Sequence, residues 1–222
     1  MNSTPDTTPL LAYCGTLCEK PVDWVFFDLG NLLFKIDHTQ AWENTMRHSP
    51  LALEEAVSRF QNCGAVIEAL TGGINDKAFF QIFADLIGFT DSPDLLSSYW
   101  EPVYQPIANR LNVLAQVQRS FHTGILSNIT SFHSHYLEQH YPVLRETTRR
   151  VYSWETGFVK PRREIFDTVI RLSQTPADRI LFVDDHPGHT QAAQERGFQT
   201  LTVSPEDELA RVLSPWIHAS QP

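Results

Sequence analysis

The chain has 222 residues, enough for one α/β domain carrying an insertion or for two small domains. Hydrophobic residues make up 42% and charged residues 19%, a globular balance that excludes a disordered chain. Lys and Arg number 17 against 26 Asp and Glu, and the net charge of -9 excludes a broad nucleic-acid-binding face, which needs clustered cations. A small phosphorylated substrate stays compatible with this balance, because a metal and a few local cations can hold it.

Residues 1–21 read as an irregular leader punctuated by Pro5, Pro9 and Pro21. Leu10–Cys14 has a short apolar flavour, but Met1 to Pro9 carry no Lys or Arg, so a signal peptide is not expected. Cys14, Cys18 and Cys63 show no metal-ligand spacing and fit a reducing compartment. No apolar run reaches the ~20 residues of a membrane helix. The expectation is a cytoplasmic protein without membrane or nucleic-acid partners, as a monomer or homodimer.

From Asp23 to Asp28 an apolar run rich in Val and Phe predicts a buried strand that ends at an aspartate and a Gly30-Asn31 turn. Asn31–Ile36 reads as a short apolar turn leading out of it. From Asp37 to Val103 the strand-like runs stop. Helical periodicity predicts segments near Thr39–Arg47, Leu51–Gln61, Ala65–Leu70, Asn75–Ile87 and Pro93–Tyr104, separated by breakers such as Thr71-Gly72-Gly73. Asn75 is placed to cap its helix, with Asp76 in the first turn.

Strand–helix alternation then returns. Helices are expected at Ile107–Arg119, Ser131–Tyr141, Arg163–Leu172, Gly188–Arg196 and Pro205–Leu213, the last with Glu206, Asp207 and Glu208 in its first turn. Strands are expected at Phe121–Leu126, Arg150–Trp154, Ile180–Asp184 and Phe198–Val203. This pattern predicts an α/β fold: a Rossmann-like, mostly parallel sheet with helices on both faces. The predicted domains are a core of 22–36 and 106–222, and an all-helical cap, 37–105, inserted after the first strand.

In such sheets ligands bind beyond the carboxyl ends of the strands. There the sequence places Asp28, then Ser127-Asn128, then Asp184-Asp185, with Lys160-Pro161 in a loop before a helix. Carboxylates, a hydroxyl and a lysine converging at strand ends can hold a cation and a phosphate together. Each group also has an ordinary alternative: a cap for Ser127, a solvated lysine for Lys160, a turn for Asp184-Asp185.

Taken in order, FDLGNLL, ILSN, GFVKP and FVDD around a helical insertion resemble the haloacid dehalogenase-like (HAD) hydrolases, from Val22 to Val203. FDLGN, SN with nearby His133, and KP before a helix are similar to the α-D-glucose-1-phosphate phosphatase-like branch. The resemblance implies Asp28 as nucleophile forming an aspartyl-phosphate. It implies Ser127, Asn128 and Lys160 as phosphate contacts, with Ser127 and Lys160 catalytic. Mg²⁺ would be held by Asp28, the Gly30 carbonyl and Asp185, with Asp184 either a further ligand or an acceptor behind them.

Two positions depart from the family pattern. Gly30 stands where a second Asp usually serves as general acid and base, help worth ~10²–10⁴ in rate. Asp37 and His38 are candidate substitutes, or caps of the first insertion helix. His189 stands where Asp or Asn is usual, four residues after the metal-binding Asp185. The expected function is a Mg²⁺-dependent phosphatase for a small phosphorylated metabolite. The alternatives are a 2-haloacid dehalogenase, for which halide needs no protonation, and a weakly active or non-catalytic binder.

Overall fold

The structure is a computed structural model that describes residues 21–218. Cys14, Cys18 and the leader up to residue 20 lie outside the described residues. Cys63 is a half-buried free thiol.

The strands are β1 (Trp24–Phe27), β2 (Phe34–Ile36), β3 (Tyr104–Pro106), β4 (His122–Ser127), β5 (Arg149–Tyr152), β6 (Ile180–Asp184) and β7 (Gln199–Thr202). Five of them form one sheet in the order β5-β4-β1-β6-β7, every pair parallel. β1 is the central strand. Its register places Phe27 beside Ile125 on one side and Val183 on the other, so Asp28, Ser127 and Asp184 emerge at the same edge.

β1 is apolar at every position because both faces are covered. Val25 and Phe27 join one buried cluster, and Trp24 and Phe26 the other. Phe26 is wholly buried, and a Cβ on Gly124 of β4 would strike its ring. Close approach of β1 and β4 therefore requires glycine there.

Five helices lie between β2 and β3: α1 (Thr39–Met46), α2 (Leu53–Asn62), α3 (Ala65–Leu70), α4 (Asp76–Ile87) and α5 (Pro93–Trp100). The Asn75 side chain accepts from Ala78 N and caps α4; Ser92 caps α5 through Leu95 N. Trp42, Phe60, Phe79, Phe83 and Trp100 meet edge to face or tilted, with centroids 4.3–6.3 Å apart. This aromatic core runs on to the helix Ser131–His140, where Phe79 stacks on Phe132 at 5.7 Å and Phe80 meets it edge-on at 4.8 Å.

The remaining helices are α6 (Ala108–Val117), α7 (Ser131–His140), α8 (Pro142–Arg145), α9 (Ser153–Thr156), α10 (Arg163–Ser173), α11 (Pro187–Glu195) and α12 (Leu209–His218). Some segments differ from expectation: α8 was not foreseen, and the strand expected over Arg150–Trp154 ends at Tyr152, where α9 begins. Asn31–Ile36 is not only a turn, because β2 pairs antiparallel with β3 as a ribbon where the insertion leaves and rejoins the core. Correspondingly, the helix expected over Pro93–Tyr104 stops at Trp100 and gives way to a 3-10 turn and β3.

The last helix begins at Leu209 rather than Pro205, with no acid in its first turn. Asp207 instead folds its carboxylate back onto Ser204 N at 2.8 Å. The carbonyls of Ser204, Pro205 and Asp207 are drawn to the Arg110 guanidinium, which competes with helix formation over this stretch.

Candidate active site

Asp28 follows β1 directly and is buried. Its amide donates to Val183 O at 3.0 Å, which ties its backbone to β6. Lys160, on the loop between α9 and α10, reaches in to the same point. Its Nζ lies 2.8 Å from Asp28 Oδ1 and 2.7 Å from Asp184 Oδ2, and it donates to Leu126 O at 3.1 Å. Nζ thus faces two carboxylates and a main-chain carbonyl from a buried position, and apart from this ion pair Asp28 Oδ1 has no hydrogen-bond partner among the described residues.

Asn128 shapes that lysine loop. Its carboxamide donates to Lys160 O at 2.9 Å and accepts from Lys160 N at 2.7 Å. Both ends of the side chain bind the lysine's own main chain, so Asn128 positions Lys160. Ser127 ends β4 and is 2% exposed, yet its hydroxyl makes no hydrogen bond to another described residue. It is not a helix cap; α7 begins four residues later, after Thr130.

Asp184 is wholly buried and accepts from several donors. His186 N reaches Oδ1 at 2.7 Å, and His189 Nδ1 lies 3.2 and 3.1 Å from the two oxygens. Burial by itself raises its carboxyl, but the bonds from His189 and Lys160 outweigh this and hold it down to about 2. Asp184 is therefore an ionised anchor for Lys160. The sequence left its role open between ligand and acceptor, and its oxygens are already largely occupied by donors.

Asp28 and Asp185 behave differently. Burial pushes the Asp28 carboxyl above its usual value; Lys160 opposes this and Asp184 adds to it. Half-buried Asp185 has no hydrogen bond or ion pair to another described residue, and burial, Asp28 and Asp184 all raise it. Burial would lower Lys160, but the two carboxylates overbalance it and keep the ammonium charged.

Asp28, Asp184 and Asp185 each offer an oxygen within 4.8 Å of the others. Three carboxylates against one ammonium leave an excess of negative charge that a cation would neutralise. Hard oxygen donors without Cys or a freely available imidazole fit Mg²⁺. Gly30, in the turn after Asp28, has no side chain to add, and a Cβ there would lie 2.8 Å from Ile36 Cδ1.

Asp37 and His38, where the chain enters the helical insertion, separate. Asp37 accepts from Thr39 N at 3.0 Å and pairs with Lys35 at 3.6 Å, a local turn that occupies it. His38 makes no cap bond; its ring faces Trp100 at 5.6 Å, and burial lowers its pKa.

Several contributors escaped the sequence reading. Buried Tyr104, at the start of β3, has its phenol raised by burial and by Asp28. His133 links core and cap: Nε2–H donates to Trp100 O at 2.9 Å, so Nδ1 accepts from the Thr130 hydroxyl at 3.0 Å. Burial takes its pKa down to about 3, against the Trp100 bond, so this clamp is neutral. Ser131 also donates to Asp76 of α4. The nearby His133 was visible in the sequence; its role needed the fold.

No protein-family model matches the chain. It is 22% identical over 183 residues to a D-ribitol-5-phosphate phosphatase from Bacteroides thetaiotaomicron, covering 79% of this chain and 89% of the relative. A HAD family enzyme of that bacterium, solved with magnesium and inorganic phosphate, superposes with a TM-score of 0.78 at 21% identity, over 86% of this chain and 98% of the other. A HAD-like hydrolase from Porphyromonas gingivalis superposes at 0.75 and 16% identity, over 89% and 98%.

Proposed function

We propose that this chain, which has the fold of the haloacid dehalogenase-like enzymes, is a Mg²⁺-dependent phosphatase acting on a small phosphorylated metabolite of the sugar- or polyol-phosphate class. The observation that carries the reading is the buried cluster of Asp28, Asp184 and Asp185 with Lys160 as its one ammonium. The relative named as a ribitol-phosphate phosphatase and the neighbour solved with magnesium and phosphate support it.

Asp28, Asp185 and the Gly30 carbonyl would hold the metal. Bound Mg²⁺ would supply the positive charge that lets an anionic phosphate approach an anionic carboxylate. An Asp28 oxygen attacks phosphorus, a P–O bond to Asp28 forms, and the bond to the leaving oxygen breaks. Lys160 neutralises the phosphoryl oxygens and holds Asp28 in line, and the Ser127 hydroxyl donates to one of them. Asp184 and Asn128 keep Lys160 in place. Water then attacks phosphorus, the P–O bond to Asp28 breaks, and inorganic phosphate leaves with the carboxylate restored.

Gly30 gives neither a proton to the leaving oxygen nor a base for the water. Turnover therefore depends strongly on the leaving group. A 2-haloacid dehalogenase reading leaves the three clustered carboxylates without a use.

The test is phosphate release from pentitol and hexose phosphates and an aryl phosphate, with Mg²⁺ and with EDTA. Release that requires Mg²⁺, fastest for the aryl ester, supports the reading. Absence of release from every ester with Mg²⁺, or release unaffected by EDTA, would overturn it.

A further inference from the structure

Arg110 is a buried cation for which the chemistry above has no role. It lies in the first turn of α6 and is 2% exposed. Among the described residues its guanidinium forms no ion pair within contact distance; it donates to five backbone carbonyls instead. Nη1 reaches Asn31 O at 3.2 Å and Leu32 O at 3.0 Å. Nη2 reaches Ser204 O at 2.9 Å, Pro205 O at 3.0 Å and Asp207 O at 3.3 Å. One planar fork thus joins the turn after Asp28 to the turn after β7.

The first of these turns is held in a costly shape. Asn31 has φ 52, in the left-handed region that residues with a Cβ enter at a penalty and Asn tolerates best. The turn is tight: Leu33 N and Phe34 N both donate to Leu29 O at 2.9 Å, and Asn31 N to Phe34 O at 2.6 Å. Gly30, whose carbonyl is assigned to the metal above, is the residue just before Asn31. The peptide that carries this carbonyl therefore depends on what holds Asn31.

We propose that Arg110 is a positioning residue for the metal-holding turn, its guanidinium fixing the Asn31 and Leu32 carbonyls against residues 204–207 so that Asp28 and the Gly30 carbonyl face one cation. The inference rests on the Mg²⁺ site of the proposed function. A lysine cannot replace the fork, because its donors radiate from one atom and cannot span two turns with five bonds.

The test compares wild type, Arg110→Lys, Arg110→Gln and the double variant Arg110→Lys/Asn31→Gly, with folding checked by circular dichroism. Binding of MgCl₂ alone is read by calorimetry, and hydrogen exchange is read on peptides spanning residues 28–36 and 149–152. Residues that orient metal ligands from behind typically change affinity 10–100-fold. Mg²⁺ should bind about tenfold more weakly to Arg110→Lys, within that range. Exchange should quicken over 28–36 and stay unchanged over 149–152. Asn31→Gly, which enters the left-handed region freely, should restore part of the affinity.

Unchanged Mg²⁺ affinity in folded Arg110→Lys would overturn the proposal. So would exchange that rises equally in both peptides, or a double variant no better than Arg110→Lys, since these mark a merely structural arginine. A wild type that binds no Mg²⁺ would refute the metal site itself, a result separable from these.

Discussion

Asp28→Asn should make the metal-free protein more stable while ending its turnover. At 2.8 Å, Asp28 and Lys160 attract by about 6 kcal/mol at an effective dielectric of about 20. At separations of up to 4.8 Å, Asp28 repels Asp184 and Asp185 by about 3 kcal/mol each on the same scale. These contributions nearly cancel. What remains is the desolvation of a buried carboxylate, several kcal/mol, set against about 1–3 kcal/mol for burying the replacing amide. We expect a net gain of about 1–2 kcal/mol, which in a chain of this size shifts Tm by about 2–8 °C.

The assay is thermal unfolding in EDTA and again in saturating Mg²⁺. In Mg²⁺ the order should reverse, because the wild type keeps the ligand that the variant has lost. The pH dependence carries the same sign. Asp28 and Asp185 are raised, so their contribution to stability is fully present below the usual aspartate pKa of 3.8 and is lost as pH rises through their folded values. Asp184 is depressed to about 2, so its contribution is present above 3.8 and lost as pH falls toward 2. Metal-free wild type should therefore lose stability as pH rises above 3.8, and Asp28→Asn should lose less. A variant less stable than wild type in EDTA at pH 8 would refute this reasoning.

Lys160→Met leaves Asp28 and Asp184 buried together without their cation, and should cost about 3–5 kcal/mol as well as activity, read by urea unfolding. Asn128→Ala strips two hydrogen bonds from the Lys160 main chain and should cost about 1–3 kcal/mol, with kcat falling more than KM rises. Gly30→Asp made together with Ile36→Val, to clear the Cδ1 contact, introduces a general acid. It should raise turnover of sugar phosphates toward the ~10²–10⁴ that such help is worth, while aryl phosphate turnover changes little.

The sheet was legible because its strands are short apolar runs ending in polar residues, and Ile180–Asp184 shows both features in five residues. The shared edge of Asp28, Ser127 and Asp184 followed from parallel strands, and Lys160 joins it from a loop. The ribbon of β2 and β3 was not legible, because Phe34 and Tyr104 are 70 positions apart and neither three-residue strand has a pattern of its own. That the Asn128 carboxamide binds the Lys160 main chain was not legible, because no side-chain motif reports such a contact. The late start of α12 had the same origin: Arg110 captures carbonyls 94 to 97 residues away.

In the proposed reaction Asp28 becomes phosphorylated. Gly30 gives no base to activate water, so hydrolysis of the aspartyl-phosphate should be slow enough for the intermediate to accumulate. The direct measurement is mass spectrometry of peptides from protein quenched in acid during turnover of an aryl phosphate with Mg²⁺. One phosphoryl group is expected on the peptide bearing Asp28, absent in EDTA and in Asp28→Asn. Steady turnover with the phosphoryl group on another residue, or undiminished turnover in Asp28→Asn, would contradict it.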